Sequence, residues 1–275
     1  MGATLTLVGV ALAGCSADAP PAVPAGVSVS VIQQRGDIAP GRLQLRIDNG
    51  SAETLTVTAA TLTWAGLSEP AAWAARRTET IAAGRVVDLP VPLPALRCAS
   101  DGESASATLE VETAGGARSM DVAADDPLGI LPRLNATQCD RDALAAVAGI
   151  EATAASARGD GTADLTISIT PTAAGSGGVE LVALRGTPLL HFARGEEATL
   201  DTTVSAGDAP STLTVAVTPR RCDPHAIAED KVGTLFDLVA RVDGREVVVS
   251  LPRPQSVADA LLAFTAAACG LTPTP

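Results

Sequence analysis

The sequence predicts an all-β protein built from two consecutive antiparallel sandwiches. Three observations lead there. Apolar and polar residues alternate in many short runs, one of these runs recurs in the second half of the chain, and four cysteines occupy matching places in the two halves. The length of 275 residues suits one or two domains. A hydrophobic share of 47% is enough for real cores and excludes wholesale disorder.

The strands follow in order. In the first half, Val27 to Ile32, Leu43 to Ile47, Leu55 to Val57, Val86 to Leu93, Ala107 to Val111 and Ser119 to Val122 are rich in Val, Ile, Leu and Thr and mostly alternate. In the second half the same reasoning selects Leu165 to Ile169, Val179 to Leu184, Ala198 to Val204, Leu213 to Val217, Leu235 to Val242 and Glu246 to Leu251. Asp48-Asn49-Gly50 and Asp243-Gly244 supply turn chemistry between such runs. Many short strands with turn signals between them point to antiparallel sandwiches.

The repeat is explicit around the cysteines. Leu89, Val91, Leu93 and Arg97-Cys98 match Leu213, Val215, Val217 and Arg221-Cys222 without a gap. Upstream, Thr80 to Gly84 matches Thr203 to Gly207. Downstream, each copy carries two alternating runs, a proline, a short apolar segment and a second cysteine. Two copies with one cysteine pair each predict the bonds Cys98–Cys139 and Cys222–Cys269. Closing loops of such length stabilises a domain by about 4 kcal/mol in the chain-entropy account.

The strand pattern is that of immunoglobulin-like sandwiches, although the core tryptophan usual between the cysteines is missing. The expected layout is two tandem immunoglobulin-like domains over 27–145 and 150–270, each with one disulfide. Residues 141–162 are expected to hold the connection and the weakly patterned first strand of the second copy. One helix is expected, capped by Ser256, with Val257, Leu261, Leu262 and Phe264 on one side and Cys269-Gly270 at its end.

The N-terminus sets the compartment. Residues 3–13 form an uncharged apolar run, too short to span a bilayer, which needs about 20 residues, but suited to the core of a secretory signal. The run ends in Leu12-Ala13-Gly14-Cys15, which resembles the lipobox of bacterial lipoproteins. The basic residue that normally opens such a signal is missing, the first being Arg35. The resemblance implies a signal peptide over 1–14 and a diacylated Cys15. The proline-containing stretch over 15–26 then forms a flexible tether. The body is accordingly expected on the outer face of the bacterial cell membrane, lipid-anchored through Cys15.

A net charge of -12 argues against nucleic acid and against adhesion to anionic lipid through surface charge. Aromatic residues are 2% and tyrosine is absent, which leaves a sugar-stacking platform poorly supplied. Trp64 and Trp73 are accordingly read as covering an end of the core. No Gly-x-Ser-x-Gly elbow, phosphate loop, HExxH or CxxC pair occurs, so no catalytic residues are assigned and no enzyme is expected.

The most distinctive string is Arg221 to Thr234, which the first copy replaces with Arg97-Cys-Ala-Ser-Asp-Gly-Glu-Ser104. It resembles a stretch of secreted proteins of high-GC actinobacteria, a resemblance that implies no activity. Asp223-Pro224 is read as the start of a turn or short helix. Asp223, His225, Glu229, Asp230 and Lys231 form the candidate partner-binding loop, because loops on rigid sandwiches carry function. The expected role is a non-catalytic binding or scaffolding module of the cell envelope, with an envelope protein as partner and with neither cofactor nor metal. The alternative is a metal-handling lipoprotein using His225 and the neighbouring carboxylates, with His191 distant in sequence.

Overall fold

A computed structural model of the chain describes residues 25–38, 40–74, 77–98, 104–113, 116–173, 177–229 and 233–271. The apolar N-terminal run, Cys15 and all of the tether but its last residues lie outside the described residues, as do Asp230 and Lys231.

The first half contains β1 (Val27–Ile32), α1 (Arg35–Ile38), β2 (Arg42–Asn49), β3 (Leu55–Thr63), β4 (Ala71–Ala72), β5 (Glu79–Ile81), β6 (Arg85–Pro92), β7 (Ser106–Thr113) and β8 (Gly116–Asp125). The second contains α2 (Ile130–Val147), β9 (Ala148–Ala157), β10 (Ala163–Pro171), β11 (Gly178–Arg185), β12 (Leu190–Phe192), β13 (Glu197–Ser205), β14 (Ser211–Pro219), α3 (Pro224–Glu229), β15 (Asp237–Val242), β16 (Arg245–Ser250) and α4 (Gln255–Ala268). The fold is all-β in its sheets and is a β-sandwich.

Two three-stranded pairings correspond between the halves. In the first, β1-β2-β6 is antiparallel, and β3 pairs with β7, which pairs with β8. In the second, β9-β10-β14 and β11-β15-β16 do the same. β5 flanks β3 as β13 flanks β11. Alternation places one face of each strand inward. Leu43, Leu45, Ile47, Leu62 and Leu109 share the first core, while Leu165, Ile167, Ile169, Leu181 and Leu238 share the second.

The halves manage their sheet edges differently. In the first, β6 is an edge and carries Pro90 and Pro92. The Leu93 N–H donates to the Gly41 carbonyl at 2.8 Å, so the ladder bonds fall on alternate residues and both prolines point their nitrogens away from β2. No further strand can add there. The matching β14 has Thr214 and Ala216 instead, and is covered by β12, where His191 pairs with Thr218. On the other side of β1-β2-β6, β1 pairs in parallel with β8 through Val29↔Ala124 and Ser30↔Asp125, which joins the first half into one sheet.

Helices depart most from the sequence expectation of a single helix. α2 has 18 residues, and its first N–H groups, those of Ile130 and Leu131, are held by the Asp126 carboxylate at 2.9 and 2.7 Å. Pro132 lies in the first turn, where a missing N–H costs nothing. Ile130 and Leu131 belong to the first core, whereas Leu144 and Val147 belong to the second. A helix that buries one end in each core has no single apolar stripe, so helical periodicity does not betray it. It runs into β9 without a loop, so the connection expected over 141–162 is a helix joined directly to a strand. The Asp140 carboxylate also accepts a charged hydrogen bond from Arg245 of β16 at 2.6 Å.

α4 occupies the expected segment, but Ser256 does not cap it. Pro254 is the N-cap, with no side-chain cap bond, so the helix begins two residues earlier than a Ser256 cap would place it. Val257, Leu261 and Phe264 enter the second core.

The structure joins Cys98 to Cys139 and Cys222 to Cys269, with Cα separations of 4.6 and 5.2 Å. This is the connectivity the repeat predicts. Each bond fastens the segment after β6 or β14 to the helix that follows the last strand of its half.

Asn49 shows how a buried polar side chain is accommodated. It is fully buried; its amide donates to the Glu53 and Ile81 carbonyls at 2.8 and 2.9 Å, and its oxygen accepts from the Ser51 hydroxyl at 2.6 Å. Asn49→Ala strands these groups, and a loss of about 2 kcal/mol is expected in urea denaturation.

Candidate functional site

The candidate loop is a short helix pinned beside a disulfide. Asp223 precedes α3, and its Oδ1 accepts the His225 N–H at 3.0 Å, the geometry of an N-cap, with Pro224 in the first helical position. The Arg221 guanidinium lies 3.8 Å from the Asp223 carboxylate. Cys222 ties the start of α3 to Cys269 at the end of α4, so an exposed surface segment rests on a fixed support. Asp223 and His225 are exposed, and Ile227 turns inward against the second core. The side chain of Glu229 lies outside what is described, with Asp230 and Lys231. Asp223→Ala is expected to cost about 1 kcal/mol, read by thermal melting, with the rest of the second half unchanged.

Among the described residues, no group of three His, Cys, Asp or Glu side chains converges to hold a metal ion. His191 lies half-buried on β12. Among the described residues no helix is long and apolar enough to cross a membrane.

Trp64 and Trp73 are half-buried against the first core. The Trp64 ring lies over Gly66, where any Cβ would run into it. The indole therefore closes an end of the core instead of standing free in solvent.

A second region was not singled out by the sequence. α2, β9 and β16 enclose a cleft of about 370 Å³, lined in part by Arg141, Leu144, Ile150, Glu151, Val249 and Ser250. It lies where the two halves differ in their strand pairing. Val29, opposite Ile47, pairs with β8 in the first half. Its counterpart Ile150, opposite Ile169, has no partner on β16.

Ladder parity fixes which main-chain groups face the gap. The Thr172 N–H donates to the Val147 carbonyl at 2.9 Å, which turns the main-chain groups of Ile150 and Ala152 away from β10. The Leu251 N–H donates to the Phe236 carbonyl at 2.7 Å, which turns those of Ser250 and Pro252 away from β15. The Ala152 N–H meets the Pro252 carbonyl at 2.8 Å, and there the two edges join. Nearer the start of β9 they diverge.

Arg253 helps to hold the exit from β16. Its Nε donates to the Thr234 carbonyl at 2.9 Å, and burial pulls its guanidinium below the usual arginine value, opposed by nearby Asp259.

No family model matches the chain, and no curated protein is similar to it in sequence. Solved structures with a partial likeness include the YadV chaperone, at 13% identity and TM-score 0.24, over 82% of this chain and 100% of that one. A second is the CsuC–CsuE chaperone–tip adhesion subunit complex from Csu pili of Acinetobacter baumannii, at 12% identity and TM-score 0.22, over 78% and 92% of the two chains. A third is red sea bream transglutaminase, at 11% identity and TM-score 0.23, over 83% of this chain. The chain spans only 31% of that enzyme's length. Likenesses of this size carry no argument about activity.

Proposed function

We propose that this chain is a bacterial lipoprotein, anchored through Cys15 to the outer face of the cell membrane. Its body is a pair of tandem immunoglobulin-like domains acting as a non-catalytic binding or scaffolding module of the envelope. The observation that carries the reading is the matched disulfide in each half, which belongs in an oxidising compartment. The repeated strand order supports two domains of one kind, β1-β2-β6 answering β9-β10-β14 and β3-β7-β8 answering β11-β15-β16. The Leu12-Ala13-Gly14-Cys15 tetrapeptide supports the anchor.

Two experiments test it. Cys15→Ala should abolish lipid labelling and release the protein from the membrane fraction; unchanged attachment removes the lipoprotein reading. For the partner, a photo-crosslinking residue is placed in the candidate loop of intact cells, with a matched probe at exposed Ser104. His225 is a better site than Ile227, whose side chain packs on the core. A specific protein captured from position 225 alone supports the module. Silence from both probes counts against a protein partner at this loop.

A further inference from the structure

We propose that the cleft between β9 and β16 is a receptor for a short extended peptide segment of a partner protein, one carrying an aliphatic side chain beside an acidic one. The proposal deepens the binding-module reading and rests on it. Three features select that ligand.

The first is the main chain. Ile150 and Ser250 turn their N–H and C=O groups toward the gap, and the ladder that closes the corresponding place in the first half is not made here. A strand edge left open in this way is satisfied by another extended main chain, which supplies donors and acceptors in alternation.

The second is the wall. Leu144 and Val249 are both buried members of the second core that also reach the cleft, so an aliphatic side chain finds an apolar seat. The volume of about 370 Å³ lies in the range of ligand pockets. The wall is also fixed. α2 carries Leu144, and Leu144 and Val147 bury that end of the helix in the second core.

The third is charge. Arg141 and Glu151 line the same cleft, and among the described residues neither forms an ion pair. Arg141 meets the acidic neighbour of the aliphatic residue, and Glu151 meets a cationic group further along. One charge of each sign on the cleft orients an extended segment instead of merely attracting it.

The test uses the full-length chain in detergent micelles and a phage-displayed library of random heptapeptides. Selected sequences are resynthesised and titrated by fluorescence anisotropy against the wild type, Gly149→Leu and Arg141→Glu. Gly149 lines the cleft, and a Cβ there meets nothing nearer than the Thr170 carbonyl oxygen at 3.8 Å, so leucine blocks the cleft without clashing at the backbone. Arg141 is exposed, so its reversal leaves the core intact and provides a second variant if the first misfolds. The expected result is enrichment of an aliphatic residue beside Asp or Glu. Binding should fall at least tenfold in Gly149→Leu and about fivefold in Arg141→Glu, while the peptide slows hydrogen exchange at the Ile150 and Ser250 amides. A library that yields no binder overturns the proposal, as do peptides that bind a folded Gly149→Leu at wild-type strength. So do Ile150 and Ser250 amides that stay unprotected. If the cleft fails while the probe at His225 still captures a partner, the module reading stands and the cleft alone is lost.

Discussion

Leu144→Ala is expected to lower stability by about 3 kcal/mol, with the damage confined to the second half of the chain. The side chain sits in the last turns of α2, buried among residues of β9 to β16. Truncating it removes apolar surface and leaves a cavity that the disulfide-fastened helix cannot collapse to fill. Leu131→Ala, thirteen residues earlier on the same helix, should produce a loss of similar size in the first half, because Leu131 belongs to the other core. Hydrogen exchange separates the two variants. Leu144→Ala should accelerate exchange along β9 and β10, and Leu131→Ala along β1 and β2. If both variants loosen the same half, α2 does not serve two cores. The Asp140–Arg245 pair adds little to this, because Arg245 is exposed and surface pairs contribute about 0–1 kcal/mol.

Removing the second disulfide should cost about 4 kcal/mol. The bond closes a loop with a sequence separation of 47, and its Cα atoms stand 5.2 Å apart, within the usual range. The replacement Cys222→Ser with Cys269→Ser should therefore shift the urea midpoint of the full-length chain downward. The bond ends on the residue that closes α4, so the loss should be visible first as faster exchange in Val257, Leu261 and Phe264. The first disulfide has a separation of 41, and Cys98→Ser with Cys139→Ser should cost about the same. It ends in the middle of α2, so its removal should loosen the helix from the first half while Leu144 and Val147 stay docked in the second. A midpoint unmoved by either replacement contradicts the account.

The alternating runs were readable because a strand in a sandwich shows one face to a core and the other to water. Leu43 to Ile47 and Leu165 to Ile169 carry that signature in full, and both lie inside observed strands, β2 and β10. β3 extends from Leu55 to Thr63, past the expected end at Val57. Its register shifts between Val57 and Ala59, and the alternation slips with it. β4, β5 and β12 have two or three residues each, too few for any period to show.

The candidate loop was partly readable. Asp223-Pro224 announces a capped helix start, and α3 begins there. That Ile227 faces the core was not readable, because six helical residues contain too little periodicity to tell an inward face from an outward one. The cleft had no sequence signal at all. Ile150 and Ser250 belong to strands a hundred residues apart in the chain, and nothing local distinguishes them from Val29 and Ala124.

Local chemistry therefore settled several features in advance: alternation, turn residues and the cysteine pairing. Each of these depends on near neighbours in the chain or on a comparison of one half with the other. Which edges close and which stay open was settled by packing. β8 reaches β1 in the first half, whereas in the second α2 runs straight into β9 and packs beside β16, so the two edges meet at Ala152 and Pro252 and leave the cleft between them. The reason is steric. A helix anchored in two cores cannot move aside, and strands that meet across its end must part to make room for it.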